Sequence, residues 1–589
     1  MARLKYNFTW KKYHRWFGLV LSVFMLVFCV SGIILNHREA FSGCEVSRKW
    51  LPASYHIKNF NNGVVKGTVV KNSGSLAISE GFSDSILVYG CAGVFLTDYQ
   101  LSTWQDFNAG LPKSIDERNV RHLVQARDGS LWCAALRDVY RYDENAQQWK
   151  KVELPGNEER IMDVALGKNS IQVVALTRSR IFEITPIASN IDVSESPSSL
   201  ASSAKGGVSE KSPDIFEKKS GGFSEKVGTF LGKYRVEAKI IPAPKNYEPK
   251  TTLFKLVWHL HSGEFFGLPG KLVVDAIALV LIVLSITGII RFILPYGIRR
   301  AKKVKSEERR VKNSLAAKNR MKRLGKLFAW NMKWHNKIGY VTIVLTLWIA
   351  ITGMCLRPPL MVPLVLSKLP QAVGEDGNVW QDKLRAIRWD AVQGDWLVST
   401  SEGFLRVDED FSQAPKMLPD DECPKLSPMG VTVWESDGKG GWIVGSFRGI
   451  YRWNPVNHKS QILDYFTNEP CVETSMIPIS DNLICGYSED LFDREPMVFD
   501  FAKGVEDAKG QVINILDEKD VMSDLICETA PMSLWNVALE LHVGRCYSPF
   551  LGPLSDLFVF LSGLLITLVL LSGYIISHRR RKKAQARLK

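Results

Sequence analysis

Apolar and polar positions in this 589-residue chain are segregated into blocks. Four runs, Phe17 to Asn36, Leu272 to Ile290, Ile338 to Leu356 and Leu557 to Ile576, are each about twenty residues long and nearly free of charge, the length at which a helix crosses roughly 30 Å of hydrocarbon. They predict an α-helical membrane protein with spans at 17–36, 271–294, 335–356 and 553–577. Between the spans, in 37–270 and 357–552, the pattern changes to short β-rich stretches cut by turn residues. "SILVYGCAGVFLTD" at 85–98 aligns with "SLWCAALRDVYRYD" at 130–143 and with "SIQVVALTRSRIFEI" at 170–184. "GDWLVSTSEGFLRVD" at 394–408 aligns with "GGWIVGSFRGIYRWN" at 440–454 and "DNLICGYSEDLFD" at 481–493. Steps of about 40 to 46 residues with this texture predict propeller blades of about four strands. One blade cannot bury its own faces, so three from each segment close into one ring of six to eight blades, the alternative being two β-sandwich-like domains. Trp132, Trp396, Trp442 and Trp453 are read as blade filling. Residues 187–225, rich in Ser, Gly and Lys, read as a linker.

Charge sets the orientation. Residues 1–16 carry five Lys or Arg and no acid, 295–334 carry fourteen against two acids, and 577–589 carry seven and none. With the whole chain at +14, everything else is acidic on balance. Basic flanks stay on the cytoplasmic side, so both termini (1–16 and 578–589) and the 295–334 segment, read as a surface helix or a disordered stretch, are expected inside, with the two β-rich segments outside. The basic residues flank spans, which gives no reason to invoke nucleic acid; the partner they imply is the lipid bilayer. The first run is long for a signal peptide and no clean cleavage site follows it, so it is read as a retained helix. No C-x-x-C occurs, which removes covalent c-type haem and a zinc ribbon from consideration.

The two halves of the chain share a register. "KYHRWFG" at 12–18 and "KWHNKIG" at 333–339 each lead into a span, and His14 and His335 lie eighteen residues before Gly32 and Gly353. "LHSGEFFG" and "LHVGRCYS" place His261 and His542 fourteen residues before Asp275 and Asp556. Ser31-Gly32, Thr287-Gly288, Thr352-Gly353 and Ser572-Gly573 end the four runs. This is the pattern of an internal duplication. Eighteen residues is five helical turns, so each inner histidine stands on the face of its glycine, where a macrocycle or a second helix approaches closely. A histidine at a membrane edge is otherwise an interfacial anchor. Neutral imidazoles from facing helices make a six-coordinate haem suited to electron transfer. The duplication pairs His14 with His335 and His261 with His542; His37, opposite Pro358, either replaces an outer ligand or is an anchor. Lys11, Lys12, Arg15, Lys333 and Lys337 are candidates to meet haem propionates, and Asp275 and Asp556 are read as helix N-terminal residues.

"HRW" at 14–16 and the H-x-G-x-F-x-G-L-P-G run from His261 to Gly270, with the four spans, resemble the PepSY-associated transmembrane-helix family, which includes bacterial iron-regulated membrane proteins and ferric-siderophore reductases. The resemblance implies an inner-membrane protein with haem b, two by the repeat, passing electrons from quinol or another membrane donor to a ferric chelate or siderophore outside. It carries over to His14, His37, His261, His335 and His542 as ligand candidates. Such a ferric-chelate reductase needs no catalytic acid, base or nucleophile, and no nicotinamide or Walker-type phosphate loop occurs. The competing readings are a haem-free sensor with the propeller as receptor and an accessory subunit of an iron or siderophore uptake system.

Overall fold

The computed structural model describes residues 2–71, 85–186, 229–231, 234–308, 315–371, 377–427, 429–455, 462–471, 482–513, 526 and 530–587. The 187–225 linker lies outside the described residues. The chain forms two units. A membrane unit gathers Met1–Ala53, Glu248–Ala372 and Met532–Lys589, and a β unit gathers Ser54–Tyr247 and Val373–Pro531.

In the membrane unit, the uninterrupted apolar runs make long helices: α1 (Ala2–Asn36), α2 (Leu253–Ser262), α3 (Gly267–Glu308), α4 (Leu315–Val341), α5 (Ile343–Cys355), α6 (Leu534–Val543) and α7 (Ser555–Gln585). By length and composition three are long and apolar enough to cross a membrane, within α1, α3 and α7. Among the described residues α4 and α5 pass the same test only as a pair bent by 68°, which brings the number to four if the pair is one span. The expected continuous helix over 335–356 is therefore broken, at Thr342, whose hydroxyl bonds the Ile338 carbonyl at 2.9 Å. The basic 295–334 segment is helical on both sides, to Glu308 and again from Leu315.

The short helices α2 and α6 are matched. Each has ten residues, a hydroxyl N-cap (Thr252 to the Lys255 N–H, Ser533 to the Asn536 N–H) and a left-handed glycine after the last turn (Gly263, Gly544). Glycine is required at 263, because φ is 78° and a Cβ there would stand 2.3 Å from the Gly270 carbonyl oxygen.

The β unit holds six successive antiparallel sheets, three from each segment. In five sheets the aligned repeats are the second and third strands: 86–90 with 93–97, 131–134 with 139–143, 173–177 with 181–186, 395–400 with 403–407, and 442–446 with 449–453; in the sixth, of which three strands lie among the described residues, the repeat covers the first of them, 484–488. Four of those second strands, and 484–488, are buried residue after residue instead of alternating. Six apolar clusters explain why. Leu87 packs with Leu131, Trp132 with Val173, Leu176 with Val398, Phe404 with Trp434, Ile443 with Val498, and Phe499 with Ile86. Each sheet is thus covered on both faces, and the sixth packs back on the first. Trp132, Trp396 and Trp453 are fully buried and Trp442 nearly so, as blade filling requires. The two β-rich segments form one unit, not two separate domains.

Candidate functional site

The four Ser/Thr-Gly pairs meet four histidines one to one. His14 of α1 lies against Gly573 of α7, with Nδ1 2.9 Å from Ser572 Oγ and 3.0 Å from the Val569 carbonyl oxygen. His335 of α4 lies against Gly288 of α3, with Nδ1 2.8 Å from Thr287 Oγ1. His261, in the last turn of α2, lies against Gly353 of α5, with Nδ1 3.0 Å from Thr352 Oγ1. His542, in the last turn of α6, lies against Gly32 of α1, with Nδ1 2.9 Å from Ser31 Oγ and 3.0 Å from the Phe28 carbonyl oxygen. Every contact crosses between the first and second halves of the chain. The eighteen-residue register thus puts glycine and histidine on one helix, but each glycine receives a histidine from elsewhere.

A carbonyl oxygen only accepts, so Nδ1 of His14 and of His542 carries the proton. In the neutral ring Nε2 then holds the lone pair, and the second partner of the imidazole has fixed the tautomer. No hydrogen bond to Nε2 of these four histidines is found among the described residues. The rings converge in pairs: His14 and His335 have centroids 6.5 Å apart at 67°, and His261 and His542 are 6.2 Å apart at 51°. His14 and Gly32 belong to one unbroken helix, so eighteen residues at about 1.5 Å each separate the two pairs by roughly 27 Å. That is close to the hydrocarbon thickness of a bilayer.

The glycines make room. A Cβ at Gly573 or Gly353 would stand 2.8 Å from the Cε1 of its histidine, at Gly32 3.3 Å, and at Gly288 3.8 Å. Beside the inner pair lies a space lined by His14, His335, Gly288, Gly573, Arg15 and Arg291 among others.

Other candidates fall elsewhere. His37 Nε2 lies 2.6 Å from Asp275 Oδ2, and Asn36 Nδ2 donates to Asp275 Oδ1 at 3.0 Å, so His37 is turned to α3. Asp275 sits two turns inside α3 and is no helix cap. Asp556 is in the first turn of α7, 3.3 Å from Arg357. The Arg15 guanidinium lies 4.9 Å from the Phe292 ring centre, and Lys12 is exposed. Sequence reasoning missed the role of the four hydroxyls, for which the repeated Ser/Thr before glycine was the available signal. It also missed Arg291 and Asn331, whose buried amide donates to the Thr287 carbonyl at 2.9 Å. Among the described residues no group of three or more His, Cys, Asp or Glu side chains stands as a metal cluster.

Several membrane-spanning helices with two facing imidazole pairs, together with a separate unit of β-sheets, define a multi-pass membrane protein. The chain belongs to the PepSY-associated TM region family, which matches residues 4–294 and again 301–581. The match reaches beyond the spans and through the β-rich segments. No curated protein matches the chain. Among solved structures it aligns with the extracellular domains described for BT4673 of B. thetaiotaomicron, as a one-component and as a hybrid two-component system, each at 9% identity over 76% of this chain. The chain spans 39% and 38% of those structures, with a TM-score of 0.28 for each.

Proposed function

We propose that the chain is a haem b electron-transfer protein of the bacterial inner membrane, both termini cytoplasmic, that reduces ferric chelates such as siderophores at the outer face. It would hold two haems, one on His14 and His335 and one on His261 and His542. The observation that carries this reading is the separation within the pairs. Two imidazoles binding one iron from opposite sides place their ring centres about 6.3 Å apart, given a metal–nitrogen bond of about 2.0 Å and roughly 1.1 Å from ring centre to nitrogen. The pairs stand at 6.5 and 6.2 Å. Both rings of each pair lack a competing hydrogen bond at Nε2 among the described residues.

A bound haem supplies a reversible one-electron couple. The residues supply the rest. Ser572, Thr287, Thr352 and Ser31 hold Nδ1 and so aim Nε2, as outer partners of metal-bound histidines do. Aliphatic side chains such as Leu281 and Ile566 line the inner space and keep water out. A roughly 27 Å separation calls for two relay points where one would not reach across. Outside, reduction frees the metal because hard oxygen chelators hold iron(III) far better than iron(II). The electron donor is membrane quinol or a partner protein. His37 belongs to the Asp275 contact and not to the ligand set. The six mutually packed sheets are read as a six-bladed β-propeller, three blades from each half of a duplicated chain.

A reduced-minus-oxidised visible spectrum of purified protein from haem-replete cells tests the reading. Haem b bands are expected, and His14→Ala or His261→Ala should each remove about half of the absorbance. A haem-free sensor or accessory subunit gives a colourless preparation, which would sink the proposal.

A further inference from the structure

Apart from Glu307 and Glu308 in the basic 295–334 segment, the parts of the spans around the inner pair have no carboxylate side chain. No Asp or Glu occurs in 1–38, 276–306, 309–374 or 557–589. Arg291 is nevertheless half-buried on α3, one turn inward of Gly288, and lines the space beside His14 and His335. The nearest carboxylates along its own helix, Asp275 and Glu307, are each sixteen residues away, about 24 Å. Among the described residues Arg291 has no ion pair, and the charges that act on it are two further guanidiniums, Arg15 and Arg580, which repel it. Its own charge reaches both inner imidazoles. A guanidinium at membrane depth is costly and persists when paired or in a polar cavity. Arg291 and Arg15 line one space that has no carboxylate among its lining residues, which makes a seat for an anion.

We propose that Arg291, supported by Arg15, seats the carboxylates of the porphyrin carried by the His14 and His335 pair. This rests on the electron-transfer reading and adds to it the orientation and the potential of the inner group. The guanidinium offers a planar fork of donors that matches a carboxylate in two bonds, which an ammonium cannot do. Arg291 and Arg15 both line the space beside the two histidines, so they are the groups that would meet the two acid arms of the macrocycle. The positive charge also favours the reduced form, whose iron carries one positive charge fewer. A lipid phosphate offers the same chemistry from a different source.

The test is potentiometric titration of full-length protein, wild type beside Arg291→Gln and Arg291→Lys, with haem content measured in each. Arg291→Gln should keep both haems, because all four histidines remain. One of the two couples should move toward the oxidised form by about tenfold, ~59 mV for one electron, while the other stays. Arg291→Lys should recover part of the shift. Stripped protein is then reloaded with free-acid haem or with haem whose carboxylates are esterified. The ester should bind the inner site more weakly in wild type and no differently from the acid in Arg291→Gln. Equal binding of acid and ester in wild type, with an Arg291 effect that appears only when anionic lipid is added, assigns the seat to lipid phosphate and overturns the proposal. Unchanged potentials in both variants also overturn it, and leave the two-haem reading standing. A wild-type preparation without haem ends both.

Discussion

A methyl group at Gly573 would stand 2.8 Å from Cε1 of His14, and at Gly288 3.8 Å from that of His335. The first is closer than side chains approach, and the second is ordinary contact. Alanine should therefore act in graded fashion at these positions: Gly573→Ala and Gly353→Ala push the imidazole away from its pair, and Gly288→Ala is tolerated. Haem content per protein is the readout, with about a 10- to 100-fold loss of affinity expected at the first two, the range for disturbing the groups behind a metal ligand. Equal retention in all three variants would separate the glycines from ligand placement. A different buried contact controls the β unit. Asp163 lies 2.6 Å from Arg388 and 3.2 Å from His122, and is almost fully buried. Burial opposes its ionisation, but the Arg388 guanidinium and the His122 contact prevail and hold the carboxyl below its usual range. Its stabilising effect is thus present above the unfolded carboxylate value of about 3.9 and fades as pH falls through the lower folded value. Asp163→Asn should lower stability at neutral pH by about 3 to 5 kcal/mol, because Arg388 is left buried and unpaired. The acid-side decline below about pH 4 should also flatten. Denaturant titration of tryptophan fluorescence across pH checks both.

At the scale of elements, the decisive pieces are the ten-residue helices α2 and α6, which deliver His261 and His542 from outside the spans. Their start and stop signals were present in the sequence, as Thr252 and Ser533 before the apolar run and Gly263 and Gly544 after it. The shared "LH" phrase lies inside these helices, in their last turn. Thr252→Ala should cost about 1 kcal/mol, the ordinary value of a hydroxyl cap. Gly263→Ala should cost more, since it combines a left-handed backbone with a Cβ pressed on the Gly270 carbonyl. Thermal denaturation in detergent, followed with outer-pair haem occupancy, ranks the two; a larger effect at Thr252 would contradict the account. The third span shows the opposite case. A run of apolar residues from Ile338 to Leu356 reads as one helix, and hydropathy carries no signal for the 68° bend at Thr342. A break of that kind is decided by what packs around the helix and not by the run of apolar residues itself. The repeat alignments in the β-rich segments, by contrast, located the second and third strands of five sheets and the first described strand of the sixth, because strands covered on both faces keep long apolar runs between turn residues.

For the whole molecule, each half supplies the histidines that rest on the glycines of the other. Residues 1–308 expressed alone contain His14, His261, Gly32 and Gly288 but neither complete pair. The prediction is that this fragment holds no six-coordinate haem, and that co-expression with 309–589 restores it; a bis-histidine spectrum from 1–308 alone would refute the cross-half pairing. The amino-acid sequence by itself determined the four apolar stretches, the basic flanks, the repeated histidines and glycines and the strand rhythm of the β unit, since these follow from local composition and spacing. Tertiary structure alone decided that His14 rests on Gly573 and not above Gly32, that His37 turns to Asp275, that the hydroxyls bind Nδ1, and that Arg291 faces a space without a carboxylate. Those outcomes depend on which helix faces lie together, and residues hundreds of positions apart meet only when the spans have packed.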